Sequence, residues 1–258
     1  MARRLIDLSV PIENDVMSDP PGLRPSIEYV GHKATAPLVA ARYNNLKPEE
    51  LIDGEGYAIE FLKVNTHNGT HVDAPWHYSA IMDRGKPAAT IDQIPIEWFF
   101  NPGVKLDFRR FPDGYVATAS DVETELARIG HTLEPFDIVL VNTRAGAKFG
   151  QDDYVQAGCG MGREATLYLT SRGVRVTGTD CWSWDAHFSH MSKRFDQTRD
   201  VSVIWEGHKA GREIGYCHIE KLHRLEELPA TGFTVACFPV KIRGASGGWT
   251  RAVAIIED

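Results

Sequence analysis

The segment from His67 to His77 contains the residue types that bind divalent metals. It reads His-Asn-Gly-Thr-His-Val-Asp-Ala-Pro-Trp-His and holds three imidazoles and one carboxylate within eleven residues. Neutral imidazole nitrogen and carboxylate oxygen are ligands that zinc, manganese and iron accept. Gly69 and Pro75 are residue types that let a backbone turn tightly enough for such side chains to converge. The segment therefore predicts a metal site.

The spacing inside the segment brings three of these side chains together. His71 and Asp73 are two positions apart and point the same way if the backbone is extended. His67 can join them across the turn at Gly69. A single histidine would more often cap a turn or satisfy a buried polar group, but a cluster reverses that preference. Because a catalytic metal typically keeps three or more protein ligands and one open position, this set could suffice.

Composition and charge restrict the class of protein. The 258 residues are 43% hydrophobic and 24% charged, which is typical of a globular chain, and we predict one domain over residues 1–258. Residues 12–56 contain several prolines and little periodicity, so we expect an arm or loop region there. The net charge of -7 argues against nucleic-acid binding, which usually needs a basic excess. A small-molecule substrate is the better expectation.

Cysteine usage and hydropathy indicate the cellular setting. The four cysteines form no Cys-x-x-Cys pair, which fits neither a disulfide framework nor a thiolate metal site. Asp7 interrupts the first apolar run before a signal-peptide core could form. No segment approaches the ~18 apolar residues of a membrane span. We expect a cytoplasmic protein that does not contact membranes.

Hydrophobic periodicity predicts more strands than helices. Strands are predicted at residues 5–11, 57–64, 103–108, 137–142, 174–178, 215–222, 233–243 and 249–257, the first two with one buried face. Ser120 and Glu123 form a capping-box pattern for a helix over 121–129. Further helices are predicted at 163–172, at a short turn beginning at Pro48, and at 200–209, where strand features compete. The glycine-rich stretch 244–248 predicts a turn.

The segment from His67 to His77 also resembles the signature of the cyclase-like metal-dependent hydrolase family, which includes bacterial kynurenine formamidase and isatin hydrolase. A second element supports the resemblance, because His208 is followed twelve residues later by Glu220, as in the formamidase pattern. The resemblance spans most of the chain. It implies an α/β fold of the swivelling β/β/α type, with a mixed sheet and flanking helices, and a homodimer or homotetramer.

The resemblance also implies a role for each site residue. Two metal positions would share one carboxylate, the first binding through His67, His71 and Asp73 and the second through Asp73, His208 and Glu220. A bridging carboxylate is what lets two cations lie ~3.5–4 Å apart. His77 would be the general acid/base. The cation would be zinc or manganese, and the number of ions, one or two, stays open.

Other histidines are alternatives for binding roles. His218 shares a strand face with Glu220 at i, i+2 spacing and is a rival ligand to His208 on geometry. The family pattern favours His208. His187 and His190 are three apart and could face one side of a helical turn. They could contact substrate, or they could be surface or interface histidines.

Aromatic residues near the motif could line a substrate pocket. Trp76 belongs to the metal motif, and Trp182, Trp184 and Phe188 follow a predicted strand end. Such side chains suit a planar apolar substrate. Core packing is the alternative for each of them.

These observations lead to a hypothesis about the reaction. We expect hydrolysis of the C–N bond of a small amide or lactam, such as an aryl formamide or an isatin-like ring, by metal-activated water. His77 would protonate the leaving nitrogen. One alternative is a cyclase or dehydratase that uses the metal as a Lewis acid. A non-enzymatic metal-binding protein fits less well, since structural zinc sites usually include cysteine.

Overall fold

A large mixed sheet dominates the computed structural model, which describes residues 3–257. The strands are β1 (Arg3–Asp7), β2 (Ser26–Val30), β3 (Ile59–Lys63), β4 (His71–Asp73), β5 (Ile81–Met82), β6 (Lys86–Pro87), β7 (Phe100–Asp107), β8 (Val116–Ala117), β9 (Ile138–Asn142), β10 (Gly160–Met161), β11 (Val176–Thr179), β12 (Cys217–Glu220), β13 (Phe233–Ala236), β14 (Gly247–Trp249) and β15 (Val253–Glu257). The α-helices are α1 (His32–Ala40), α2 (Pro75–Tyr78), α3 (Ala119–Ile129), α4 (Arg163–Thr170), α5 (Phe188–Thr198) and α6 (Glu206–Lys209).

The main sheet has nine strands in the order β1-β15-β13-β7-β9-β11-β12-β4-β14. Its centre, β7-β9-β11-β12, is parallel, and the remaining neighbours pair antiparallel. Every residue of β9 is buried, which is expected of a parallel strand that is covered on both faces. This architecture confirms the predicted α/β class with a mixed sheet and flanking helices. That residues 1–258 form one domain stays a prediction.

The two faces of the sheet contribute to separate hydrophobic clusters. On one face Val139 and Val141 of β9 pack with Leu126 of α3 and Leu169 of α4. On the other face a second cluster surrounds Leu140 of the same strand. The alternation of side chains along β9 therefore fixes the sheet between two layers.

The bounds of the elements differ from the predicted ones in physically informative ways. Every predicted strand segment overlaps a strand, but the segment 249–257 overlaps two, β15 and the last residue of β14. Helix α3 begins two residues earlier than predicted, because Thr118 and Asp121 form its capping box and Ser120 does not. The turn predicted at 244–248 covers only its first residues, since Gly247 and Gly248 already belong to β14. The segment 200–209 is helical, with a 3-10 turn at Val201–Val203 followed by α6.

The region 12–56 contains regular structure that the sequence did not predict. It holds β2 and the nine-residue helix α1, which contains Pro37. The prediction that residues 57–64 have one buried face is wrong, because all five residues of β3 are exposed. β3 pairs with β2 in a two-stranded sheet that is separate from the main sheet. Alternation thus predicted the strand correctly, but it could not tell that no core lies beneath it.

Among residues 3–257, no helix has the length and apolar character needed to cross a bilayer.

A buried ion pair ties the arm, residues 12–56, to the rest of the protein. Lys221 is 1% exposed and Asp19 is 4% exposed, and the Lys221 ammonium forms an ion pair with the Asp19 carboxylate. The indole of Trp182 donates to Asp19 Oδ1 at 3.1 Å, and the Asn68 amide donates to Asp19 Oδ2 at 3.1 Å. Lys221 Nζ also donates to the carbonyl oxygen of His67 at 2.8 Å. The arm is therefore anchored beside the predicted metal motif.

Replacing Asp19 with alanine should destabilise the protein by ~3–5 kcal/mol, because the Lys221 charge would stay buried without a partner. Urea unfolding of the parent and the variant measures this difference. The exposed pair between Arg3 and Glu257 is the matched control, and Glu257→Gln should change stability by about 1 kcal/mol or less. Equal effects of the two substitutions would contradict the anchoring role of Asp19.

The arm also exposes large apolar side chains. Tyr29 of β2 is 65% exposed and Phe61 of β3 is 58% exposed, on a two-stranded sheet of a kind that is marginally stable alone. The homo-oligomer implied by the family resemblance stays a prediction. Sedimentation equilibrium should give a mass of at least two chains, and Phe61→Ser should lower the association constant. A parent protein that sediments as one chain would contradict the prediction.

Candidate metal centre

The sheet itself places four donor side chains on one face. β12 runs antiparallel to β4, so that His218 lies opposite Asp73 and Glu220 lies opposite His71. Alternate residues of a strand face the same side, so all four side chains project together. All four residues are less than 9% exposed. Strand pairing, and not a single bend of the chain, therefore creates the core of the site.

Gly247 lets the neighbouring strand β14 approach this face closely. It pairs with Asp73 from the other side of β4. A Cβ atom at this position would lie 3.1 Å from Asp73 Oδ1 and 3.1 Å from His67 Cε1. The glycine is therefore required by the donor cluster, which explains part of the glycine-rich stretch noted in the sequence.

Helix α6 contributes His208, and Asp185 fixes its orientation. The Asp185 carboxylate accepts the backbone N–H groups of Gly207 and His208 at 2.8 and 2.9 Å. It also lies 2.5 Å from His208 Nδ1, so Nδ1 carries the proton and Nε2 is left with its lone pair. A carboxylate behind an imidazole is the usual way in which proteins orient a metal-binding histidine. No role was assigned to Asp185 in the sequence analysis.

His67 and His77 complete the cluster from the other side of Asp73. His67 Nδ1 lies 2.7 Å from Asp73 Oδ1, and its Nε2 lies 3.1 Å from Ser246 Oγ. Pro75 is the first residue of the short helix α2, which places His77 Nε2 at 3.9 Å from Asp73 Oδ2. The rings of the two histidines are 4.1 Å apart between centroids. The ligand atoms of His67, Asp73 and His77 all lie within 4.8 Å of one another.

A second group of donors shares Asp73 with the first. The ligand atoms of Asp73, His208, His218 and Glu220 also lie within 4.8 Å of one another. His71 is in neither group by this measure, but it lies between them, since its Nε2 is 3.3 Å from Asp73 Oδ1 and 3.6 Å from Glu220 Oε2. The structure therefore brings together every residue predicted to bind metal, together with His77 and His218.

The donor set fits a divalent cation. His71 Nε2 is buried and has no hydrogen-bond partner within residues 3–257, and the buried Asp73 Oδ2 is approached there by His218 Nε2 at 3.0 Å and His77 Nε2 at 3.9 Å. A buried polar atom without a partner costs ~1–3 kcal/mol. A cation would satisfy both atoms, and a mixture of imidazole nitrogen and carboxylate oxygen suits zinc or manganese.

The charges of the cluster keep its carboxylates ionised. Burial by itself would raise the pKa of Asp73, but the neighbouring His77, His71 and His67 hold it well below its usual range. Burial and the charge of Asp73 would also raise the pKa of Glu220, yet contacts with histidines, His218 foremost, lower it to about 2. Both carboxylates are thus ready to bind a cation at neutral pH.

The pKa values of His77 and His218 are shifted in opposite directions, although burial acts to lower both. Burial lowers the pKa of His77 to about 4, which outweighs the attraction of Asp73, so this imidazole is neutral at pH 7. Burial also acts to lower the pKa of His218, but its contacts with Asp73 and Glu220 win and raise it to about 9. Burial acts to lower the pKa of His67 as well, but the charge of Asp73 raises it, so His67 and His218 are the imidazoles whose pKa the carboxylates raise.

A cavity of about 340 Å³ opens beside the cluster. Three large aromatic side chains line it together with four residues of the donor groups. The lining includes Trp182, Phe188, Trp205, His67, His77, His208, Glu220 and, from the arm, Asp19 and Leu23. A planar apolar molecule of modest size fits such a space.

The predicted pocket aromatics divide into two groups. Trp182 and Phe188 line the cavity. Trp76 and Trp184 do not line it, because Trp76 is 47% exposed on the surface and Trp184 is fully buried, donating its indole N–H to Thr166 at 3.0 Å. Core packing, the alternative considered for each aromatic residue, accounts for Trp184.

His187 and His190 lie outside the donor cluster. His187 caps the N-terminus of α5, where its Nδ1 accepts the backbone N–H of Ser189 at 3.2 Å. Its ring is 5.8 Å from that of Trp182, at the edge of the cavity wall. His190 packs against Gly114. Neither imidazole is part of the cavity lining formed by the described residues.

Trp205 is a cavity residue that sequence reasoning missed. Its ring stacks on His208 with centroids 4.8 Å apart and an angle of 13° between planes. Its φ of 55° is in the left-handed region and turns the chain into α6. The apolar run that contains this tryptophan was a signal in the sequence, but it did not show which way the ring points.

The comparison with known proteins agrees with this picture. The family model described as "Putative cyclase" matches residues 6–186. An isatin hydrolase from Roseibium aggregatum is 24% identical over 215 residues, which cover 79% of this chain and 77% of that protein. A kynurenine formamidase from Salinibacter ruber is 28% identical over 193 residues, which cover 74% of this chain and 77% of that protein.

Solved structures show the same fold. An isatin hydrolase bound to the product analogue thioisatinate has a TM-score of 0.75 at 18% identity, covering 99% of this chain and 93% of that chain. Isatin hydrolase A from Ralstonia solanacearum has a TM-score of 0.73 at 22% identity, covering 99% and 92%.

Replacing Asp73 with alanine should remove bound metal, because this carboxylate belongs to both donor groups. Elemental analysis of the folded variant should find a small fraction of the metal in the parent protein. Asp137→Ala is the matched control, since Asp137 is also buried and contacts a histidine, His131, at 2.8 Å. Full metal content in the Asp73 variant would show that this carboxylate is not a ligand.

Proposed function

Since the chain belongs to the putative cyclase family, we propose that it is a metal-dependent hydrolase that cleaves the C–N bond of a small amide or lactam. The observation that carries this proposal is the convergence of two donor groups on the shared carboxylate of Asp73, beside a cavity that is lined by three aromatic side chains and by four other donor residues. The substrate class follows from relatives named isatin hydrolase and kynurenine formamidase. An aryl formamide or an isatin-like ring fits both the names and the cavity.

The donor cluster supplies a reason for hydrolysis at neutral pH. A divalent cation, zinc or manganese, lowers the pKa of a water molecule toward 7 and polarises a carbonyl group. Asp73 and Glu220 provide the negative charge that holds the cation. The aromatic side chains of the cavity, Trp182, Phe188 and Trp205, exclude bulk water and hold a planar ring against the donors. The substrate is thereby bound in a reactive orientation.

His77 is suited to move the proton that the reaction requires. It lines the cavity and is neutral at pH 7, so it can accept a proton from the attacking water. The leaving nitrogen must gain a proton as the C–N bond breaks, and His77 can deliver the same one. Because His77 Nε2 is also 3.9 Å from Asp73 Oδ2, a role as a metal ligand is the alternative that experiment must separate.

Replacing His77 with alanine should lower kcat by ~10²-fold or more while the metal content stays near that of the parent. Elemental analysis and steady-state kinetics on the same preparation separate the two roles. His131→Ala, far from the donors, should leave both quantities unchanged. Loss of metal from the His77 variant would make His77 a ligand and overturn its role as acid/base.

The reaction type is tested by turnover in oxygen-18 water. The metal-loaded protein is incubated with aryl formamides, isatins and small lactams, once with zinc and once with manganese. Hydrolysis must place one solvent oxygen in the new carboxylate or formate. A turned-over product without solvent oxygen would favour ring closure or dehydration, and a folded protein that turns over none of these substrates would contradict the proposed substrate class.

A further inference from the structure

His218 and His208 were rivals in the sequence for one position, but the structure brings both to the same point. We propose that His218 is an additional protein ligand of the second metal position, which it completes together with Asp73, His208 and Glu220. This inference rests on the proposed metal site and not on the identity of the substrate. It assigns a donor set of two imidazoles and two carboxylates.

The contacts of His218 Nε2 are those of a ligand atom. It lies 3.0 Å from Asp73 Oδ2, 3.3 Å from Glu220 Oε1 and 3.1 Å from His208 Nε2. Two of these three atoms are carboxylate oxygens, and the third is the His208 ring nitrogen that faces away from Asp185, so each can offer a lone pair. A single N–H group can satisfy only one of them well. A cation among the four atoms would satisfy all of them.

The backbone and the aromatic core hold His218 in this orientation. Its register partner on β4 is Asp73, and its side chain is fully buried. The imidazole lies roughly parallel to the ring of Tyr78 at 21° and to that of Trp184 at 20°, each with centroids 6.1 Å away. These rings leave the imidazole little freedom to turn away from the donors. Trp184 was predicted to line the pocket, but it packs against the His218 imidazole.

The two metal positions then differ in their donors. The second position has four protein donors, whereas the first has His67, His71 and the shared Asp73, with His77 beside them. A position with fewer protein ligands keeps room for water and substrate, and a fuller set holds its ion more firmly. Two imidazoles also favour zinc or cobalt over magnesium or calcium.

An alternative role for His218 makes the opposite prediction. As an imidazolium that merely neutralises Asp73 and Glu220, it would compete with a cation for the same two carboxylates. Removing it would then strengthen metal binding. As a ligand, its removal must weaken metal binding. The sign of the change therefore distinguishes the two roles without any measurement of activity.

The experiment is a titration of metal-free protein with Co²⁺, followed by calorimetry and by visible absorption. The parent should bind two ions with different affinities. His218→Gln should weaken the tighter class by ~10²-fold or more, since even the groups that orient a ligand contribute 10–100-fold to affinity. The weaker class should change little. His131→Gln is the matched control and should leave both classes unchanged.

A second variant guards against a general disturbance of the buried core. In His218→Cys a thiolate replaces the imidazole, and thiolates are good ligands for zinc and cobalt. A sulfur-to-cobalt charge-transfer band in this variant would show that position 218 reaches the ion. Its absence, together with unchanged or tighter binding in His218→Gln, would overturn the inference. A parent protein that binds no divalent ion would instead overturn the proposed function.

Discussion

The carboxylate of Asp73 is the group on which the rest of the site depends. It is completely buried, and burying an ionised carboxylate costs several kcal/mol unless neighbouring groups compensate. Four histidines surround it, from the turn before β4, from β4 itself, from α2 and from β12: His67, His71, His77 and His218. The close contacts with His67 at 2.7 Å and His218 at 3.0 Å compensate the buried charge. β4 lies between β12 and β14, so each neighbouring strand must accommodate this one anion.

Several features outside the donor set follow from that constraint. β14 carries Gly247 beside the carboxylate because a side chain there would collide with the donors. Asp185 accepts a hydrogen bond from the backbone of α6 at Gly207 and orients the His208 imidazole toward the other donors. Asp19 anchors the arm next to Lys221, the residue after Glu220, and the arm then closes one wall of the cavity. Elements remote in sequence are thus fixed relative to one buried charge.

The sequence predicted the parts of the site that depend on local spacing. His67, His71 and Asp73 converge because a turn and a short extended segment are enough to bring them together, and Glu220 and His218 share a face because strands alternate. The pairing of β4 with β12 could not be predicted, since more than half of the chain separates them. The same limit explains why the predicted buried face of β3 is wrong. Alternation does not reveal whether another layer covers a face of the strand. Trp205 was not predicted as a cavity residue. Its ring direction depends on its own left-handed backbone conformation, which no sequence pattern indicates.

The pairing of β4 with two strands from the C-terminal third of the chain has a consequence for when the donor set is complete. During synthesis the His67–His77 segment leaves the ribosome long before β12, α6 and β14 exist. A nascent chain of that length offers only part of the donor set, and contacts of such long sequence separation form late in folding. The complete donor set therefore exists only after the C-terminal third of the chain has joined the sheet.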